Sequence, residues 1–345
     1  MRIGLLAPIA LPVPPVGYGG TERVVSLLAE GLAARGHEVT LFASGDSTSQ
    51  VPRRSLFPHA LPQLDKPSYQ QAEAEHVRWA LAQGSDFDLI HDHTKTNGVL
   101  LASGCSVPVL TTVHNDFTPE RRSVYLRFPQ HPFVAISRAH AARLPELCFT
   151  GVIYNGIDLA SLPDAIEKSH ELLFLGRICA VKGAHTAIAV AKATGRPLIL
   201  AGNVDKGDRS YFEEAIAPHL SDKLIRYVGE VSGERKWRLL SQAHCLLFPI
   251  QWPEPFGLVM IEAMACGTPV VALNRGAAPE VVGHGESGWL AEDFPELIEG
   301  VEKAKSFDPS TCRRWVEEHF SAHAMVSNYE KLYRRVAASV KARGP

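Results

Sequence analysis

Glu254-Pro255-Phe256-Gly257-Leu258-Val259-Met260-Ile261-Glu262 follows the short apolar run Cys245–Phe248 and opens an apolar segment of helical length. It reads as the turn from a buried strand into a helix. A helix start is an anion site, because its first N–H groups have no partner within the helix and the helix dipole adds favourable potential. The main-chain N–H groups of Phe256, Gly257 and Leu258 are candidates for holding a diphosphate, and Gly257 lets it come close. Two carboxylates bracket this turn. Glu254, in the loop ahead of the helix, can accept hydrogen bonds from sugar hydroxyls, and Glu262, inside the helix, can accept from a ribose diol. Glu262 also sits in the otherwise apolar run Leu258–Ala265, where an unpaired charge is costly, so a place on the open surface does not explain it.

The same grammar extends in both directions. Leu172–Leu175, Leu198–Ala201, Ile225–Val228, Cys245–Phe248 and Pro269–Ala272 read as buried strands, each followed by a helical stretch. In the first half Arg2–Ala7, Glu38–Ala43, Leu89–Asp92, Val109–Val113 and Phe133–Ile136 repeat the pattern, with a helix over Thr21–Arg35 stopped by Gly36. Short strands alternating with helices predict an α/β chain with parallel sheets. At 345 residues it exceeds what one core usually organises, so two tandem domains facing a cleft are expected. Turn chemistry from Asn155-Gly156-Ile157-Asp158 through Ser161-Leu162-Pro163 places the linker there. The predicted domains are 1–155 and 156–320, with the tail 321–345 joined to the first. That tail reads as a helix from Phe320 to about Lys341, with Phe320, Met325, Tyr329 and Tyr333 at helical spacing. Ser44 to Gln71, rich in Pro, Ser and Arg, reads as a mobile loop over the cleft.

Composition narrows the function. The 35 Lys and Arg nearly cancel the 37 Asp and Glu, which removes the bulk basic field that nucleic-acid binding requires. The six cysteines form no CxxC pair and suit buried reduced thiols, not zinc or a disulfide framework. The N-terminus reaches Pro8 too soon for a signal-peptide core and no apolar run approaches the length of a span, so a cytoplasmic protein is expected. Arg121, Arg122 and Arg127 with Tyr125 and Phe128 leave room for peripheral contact with anionic lipid at the inner membrane face, against the plainer reading of a solvated surface.

Three further segments bear on chemistry. Gly176-Arg177-Ile178-Cys179-Ala180-Val181-Lys182-Gly183 links a strand to a helix, and Arg177 and Lys182 would balance a diphosphate and stabilise it as a leaving group. Gly17-Tyr18-Gly19-Gly20-Thr21-Glu22 follows the first strand; Glu22 stands where the dinucleotide fingerprint wants Gly or Ala, so Gly19 and Gly20 instead allow main-chain N–H groups to approach the donor. His114 ends the strand Val109–Val113, where a neutral imidazole can hydrogen-bond a sugar. His91-Asp92-His93 invites a metal reading, but adjacent strand residues point to opposite faces, which argues against all three meeting one ion.

Together Gly19-Gly20, His114, Arg177, Lys182, and Glu254 with Glu262 resemble the family-4 retaining glycosyltransferases of the GT-B fold, whose hallmark is two glutamates bracketing seven residues. The likeness covers essentially the whole chain. It implies two Rossmann-like domains with a C-terminal helix crossing back to the first, and transfer of a sugar from a UDP- or GDP-linked donor with retained anomeric configuration, without metal or other cofactor. It implies that Glu254 contacts the donor sugar, Glu262 the ribose, Arg177 and Lys182 the diphosphate, and that His114 is the active-site histidine. It also implies that the base is read by backbone near Val228-Gly229-Glu230-Val231, with Val231 packing close. Gly202 lies in Ala201-Gly202-Asn203, where the family more often has a G-x-G turn, and is expected in the donor loop. The acceptor is an unnamed glycan, lipid or small molecule. A nucleotide-sugar epimerase or a non-catalytic nucleotide-sugar-binding protein is the alternative.

Overall fold

The structure, a computed structural model, describes residues 1–160, 162 and 167–343. Ser161 and Pro163 of the predicted linker and the last two residues of the predicted tail lie outside the described residues. The chain divides into two compact units, residues 1–156 with 322–345, and Ile157–Ser321. Each is a parallel sheet with helices, the α/β architecture that alternating short apolar runs and helical segments dictate.

In the first unit the strands are β1 (Arg2–Leu6), β2 (Glu38–Phe42), β3 (Arg53–Arg54), β4 (Leu89–Asp92), β5 (Val109–Val113), β6 (Phe133–Ala135) and β7 (Phe149–Val152), in the order β3-β2-β1-β4-β5-β6-β7. The second unit holds β8 (Leu172–Leu175), β9 (Leu198–Ala201), β10 (Ile225–Tyr227), β11 (Cys245–Phe248), β12 (Val270–Leu273) and β13 (Gly288–Ala291), in the order β10-β9-β8-β11-β12-β13. In both sheets the winding reverses beside the first strand, between β1 and β4 and between β8 and β11. Such reversal points part the loops at the carboxyl ends of the strands and open a crevice for ligands. The central strands are covered on both faces, which is why β4, β5, β9, β11 and β12 are buried at every residue.

Three strands were not legible. β3 is two arginines recruited to the sheet edge by main-chain bonds such as Leu41 N–H to the Pro52 carbonyl, 2.8 Å. β7 alternates half-buried and exposed residues, and β13 begins with glycine. The predicted mobile loop from Ser44 to Gln71 is corrected as well. Gly45 N–H donates to the Phe57 carbonyl, Leu61 N–H to the Ile9 carbonyl, and a helix over Lys66–Leu81 starts inside the segment, capped by the Asp65 carboxylate accepting from Ser68 N–H. Polar composition concealed a segment stitched by its main chain.

The predicted tail helix is Ala322–Arg343, and Phe320, read as its first residue, instead closes the helix before it. Pro309–Phe320 ends in the second unit, where Phe320 meets Phe256 edge to face at 5.8 Å, and Ser321 is extended. The helix Ala322–Arg343 then packs in the first unit. Tyr333 and Tyr329 are fully buried there. The Tyr333 hydroxyl lies 2.7 Å from His91 Nδ1, His91 Nε2 lies 2.7 Å from Thr112 Oγ1, and Thr112 Oγ1 lies 3.0 Å from the Tyr329 hydroxyl. Arg35 adds bonds to Glu330, Ser327 and the His323 carbonyl.

The two aromatic residues of the patch that left room for lipid contact belong to a core. Tyr125 is 1% exposed within a core of Phe117, Phe133 and Leu144, Phe128 packs against that core, and Arg122 is paired with Glu146. Among the described residues no helix is long and apolar enough to cross a membrane.

The hydroxyl of Tyr333 is the partner of a buried ring nitrogen, so Tyr333→Phe should lower stability by about 1–3 kcal/mol, the cost of leaving a buried polar atom unpaired. Urea unfolding followed by circular dichroism checks this; an unchanged midpoint would show that the tail is held by apolar packing alone.

Candidate functional site

The site of the second unit is assembled from loops at the carboxyl ends of β8, β9, β11 and β12. After β8 the chain turns through Ala180–Lys182. Gln251 N–H donates to the Val181 carbonyl at 2.8 Å, which draws this turn onto the loop after β11. There Lys182 Nζ donates to Glu254 Oε2 at 2.5 Å, and Trp252 Nε1 donates to the same oxygen at 2.7 Å. The Lys182 ammonium also lies 5.5 Å from the centre of the Trp252 ring. Ala277 N–H, after β12, donates to the Glu254 carbonyl at 2.9 Å and fixes that loop in turn. Glu254 is therefore neither a helix cap nor a surface acid; it is buried, with its charge met by a lysine.

Gly257 caps the helix Leu258–Ala265 with left-handed backbone, φ +83°. Only glycine takes that conformation at no steric cost, so the residue that turns strand into helix is also the one that bares the helix start. The Phe256 side chain is 2% exposed and packs on Phe320, so its ring belongs to the core and only its main chain can face a ligand. Eight residues beyond Glu254, Glu262 is 6% exposed among Met260, Ile261, Ala263 and Met264, all fully buried. Its charge is met from another helix, Gly233–Gln242: Lys236 Nζ donates to Glu262 Oε1 at 2.6 Å and lies 4.7 Å from the Trp237 ring centre.

Arg177 and Gly202 depart from expectation. Arg177 Nη1 donates to Asp205 Oδ2 at 3.1 Å and its Nε lies 3.6 Å from Asp208 Oδ2, so two carboxylates of the loop after β9 occupy a side chain read as a diphosphate ligand. Gly202 gives its N–H to the Gly229 carbonyl and its carbonyl accepts from the Tyr227 hydroxyl. Both its main-chain groups are consumed. At φ +151° a Cβ there would lie 1.8 Å from the Gly176 oxygen, so Gly202 lets two loops touch and offers no donor of its own. The same bond to Gly229 anchors the turn that leads to the buried Val231.

In the first unit Gly19 caps the helix Gly20–Ala34, accepting from Arg23 N–H, with Gly20 as the first helical residue. His114, at the end of β5, has its Nε2 2.9 Å from His93 Nδ1, the rings stacked at 5.2 Å. Burial pushes His114 down to about 3, with His140 adding to the shift, and drives His91 and His93 well below the ordinary histidine range. His91-Asp92-His93 does not converge. His91 is spent on Tyr333 and Thr112, while Asp92 accepts from Thr94 N–H, Thr94 Oγ1 and Thr111 Oγ1. Among the described residues no three His, Cys, Asp or Glu side chains gather as ligands for a metal ion.

Lys236, Trp252, Asp205 and Asp208 escaped the reading of the sequence. Lys236 stands among Glu234, Arg235 and Arg238 on a polar helix, and nothing in the spacing marks it. Trp252 carried a signal in its nearness to Glu254.

Two family models match the chain, Glycosyltransferase Family 4 over residues 18–161 and Glycosyl transferases group 1 over residues 163–320. By sequence it is similar to a glycogen synthase of Mycobacterium tuberculosis, 28% identical over 87% of this chain and 86% of that protein. Among solved structures it is similar to AviGT4, a glycosyltransferase involved in avilamycin A biosynthesis, at 28% identity and a TM-score of 0.78 over 98% of both chains. In fold it is similar to HepE of Anabaena, solved in complex with UDP and glucose, at 20% identity and a TM-score of 0.74 over 99% of this chain and 100% of that one. These likenesses and the two sheets define a two-domain glycosyltransferase. The chain belongs to the family-4 glycosyltransferases of the GT-B fold, and its activity is glycosyl transfer.

The histidines make the first unit acid-sensitive. Burial holds His76, His131 and His140 down at about 4 and His114 at about 3, with His91 and His93 lower than usual as well. With folded values below the unfolded one, the unfolded chain binds the extra protons, so stability is full above about pH 6.5 and falls as pH drops toward 4. Asp92, which burial raises to about 6, and Glu22, which burial also raises, work in the opposite sense, two groups against six. Each histidine removes up to about 1.4 kcal/mol per pH unit in that window. Peptide-resolved hydrogen exchange at pH 7 and 5.5, corrected for intrinsic rates, should show residues 1–156 losing several kcal/mol and Ile157–Ser321, where burial lowers only the less buried His185 and His244, losing less; equal loss in both units would contradict this.

Proposed function

We propose that the chain transfers a hexosyl group from a UDP- or GDP-linked sugar to an acceptor hydroxyl, with retained anomeric configuration and without a divalent metal. One observation carries the reading: Glu254 and Glu262, on either side of a helix start, are both buried, and each is ion-paired to a lysine through one oxygen. The second oxygen of each carboxylate accepts from ligand hydroxyls, those of the sugar at Glu254 and those of the ribose at Glu262. The N–H groups of Gly257 and Leu258 with Lys182 hold the diphosphate. Arg177 joins them by exchanging Asp205 and Asp208 for phosphate oxygens, and the turn before Val231 receives the base. His114, kept neutral, hydrogen-bonds the donor sugar. The likeness to AviGT4 and to a glycogen synthase, and the UDP and glucose bound to HepE, support a nucleotide-sugar donor.

In this mechanism the bond from the anomeric carbon to the diphosphate oxygen breaks and the bond to the acceptor oxygen forms on the same face, with the departing phosphate oxygen taking the acceptor proton. Negative charge grows on the leaving diphosphate, where Lys182 and the helix start interact more strongly with the transition state than with the bound donor. The second unit serves as the nucleotide-sugar domain and the first as the acceptor side, for a glycan, lipid or small molecule in the cytoplasm. Incubation with a panel of UDP- and GDP-sugars and candidate acceptors, read by release of nucleoside diphosphate and by NMR of the new linkage, tests the reading. Release with the donor's anomeric configuration kept is expected; an inverted product, or a rearranged sugar without transfer, would overturn it.

Activity should survive EDTA, because cationic side chains serve where a metal would. Loss on chelation with recovery on adding manganese would refute metal independence. Lys182→Ala should lower kcat about a hundredfold to a thousandfold with a smaller effect on donor KM, the usual consequence of losing one preorganised electrostatic contact. A raised KM at unchanged kcat would make Lys182 a ground-state anchor and shift leaving-group stabilisation to the helix start.

A further inference from the structure

The ion pair between Lys236 and Glu262 links two helices, and the proposed function gives its lysine no ligand to bind. Lys236 lies on the helix Gly233–Gln242 beside exposed Gly233, Glu234, Arg235 and Arg238, yet its own side chain is only 15% exposed. Its ammonium is held from two sides, by Glu262 Oε1 at 2.6 Å and by the Trp237 ring at 4.7 Å. A long, flexible side chain fixed twice gives its partner a fixed orientation. Stability alone does not account for the pair, since replacing a buried ion pair by apolar residues of similar volume is often neutral or favourable. Glu262 stands on a helix that is apolar at every neighbouring position, where a hydrophobic residue would pack in its place. What the charged pair supplies and an apolar pair cannot is an oriented acceptor: Oε1 is tied to the lysine, and Oε2 remains for a ligand. Lys182 and Glu254 repeat the device, with the lysine and Trp252 both on one oxygen.

We propose that Lys236 is a specificity-determining positioning residue: by pinning Oε1 of Glu262 it aims Oε2 at the ribose diol and so sets the preference for ribonucleoside over 2′-deoxyribonucleoside diphosphates. This rests on the reading of Glu262 as the ribose ligand. A carboxylate with one fixed oxygen accepts both diol hydroxyls only from one direction, and a nucleotide without the 2′-hydroxyl loses one charge-assisted bond. A carboxylate free to rotate meets either nucleotide with the hydroxyls it has and discriminates less.

The test is calorimetric titration of the full chain with UDP, GDP and their 2′-deoxy counterparts. The wild type should bind one ribonucleotide about tenfold to a hundredfold more tightly than its 2′-deoxy form, the span expected for one hydrogen bond to a charged group. Lys236→Met should bring that ratio within a few-fold of unity, Lys236→Arg should keep most of it, and in a Glu262→Gln background Lys236→Met should change affinity less than twofold. This last non-additivity distinguishes action through Glu262 from general loosening of the helix. If Lys236→Met does not fold because Glu262 is left unpaired, Lys236→Gln reads the same ratio, with at least a threefold fall expected. A wild-type ratio retained in the Lys236 variant, while Glu262→Gln loses it, overturns the role of Lys236 alone. A ratio retained in Glu262→Gln, or absent in the wild type, overturns the ribose reading and with it this proposal.

Discussion

A carboxylate inside an apolar helix must meet a cation, and the second unit is arranged around that requirement. The helix Leu258–Ala265 forms the floor of the site because β11, the left-handed Gly257 and a run of buried apolar residues leave it no other place. Putting Glu262 into that run brings a desolvated charge into the floor, which only a paired and oriented cation makes tolerable. Lys236 therefore has to reach it, and the helix Gly233–Gln242 has to lie alongside. The same logic binds the turn after β8 to the loop after β11 through Lys182 and Glu254.

The two units manage buried polarity in different ways. In the second unit ion pairs are explicit, and they leave each glutamate one oxygen to accept further bonds. In the first unit the buried groups beneath the C-terminal helix are neutral ones. His91, Thr112, Tyr329 and Tyr333 form a chain of uncharged hydrogen bonds through which the C-terminal helix is fastened to β4 and β5. His93 and His114 continue the uncharged theme toward the carboxyl edge of that sheet. A neutral imidazole hydrogen-bonds a hydroxyl without adding charge, whereas a lysine or arginine beside phosphate changes the charge of the whole site.

The loops of the second unit hold their own counter-ions. Arg177 is met by Asp205 and Asp208, and Lys182 by Glu254, so the cations near the helix start are balanced by carboxylates of the same unit. An incoming anion competes with these acids. A flexible cation with a resting partner stays in place at moderate cost, and exchange of one carboxylate partner for a phosphate oxygen keeps its hydrogen bonds satisfied.

The sequence by itself determined the α/β class, most strands and the family, because burial on both faces writes β-branched and leucine-rich runs into the chain and a helix start after a strand demands a residue such as Gly257. It also singled out Glu254, by its place in the loop ahead of a helix start, and Glu262, since an acid in an apolar run contradicts its surroundings and so stands out. It did not show β3, which is two arginines held by main-chain bonds, nor the break at Ser321 that parts Phe320 from Tyr329 and Tyr333. Tertiary structure alone decided the partners: Lys236 for Glu262 across 26 positions, Lys182 for Glu254 across 72, and His91 for Tyr333 across 242. A lone residue's burial follows from its neighbours along the chain. Which cation or hydroxyl meets it depends on how separate elements come together, and hydrophobic periodicity carries no record of that.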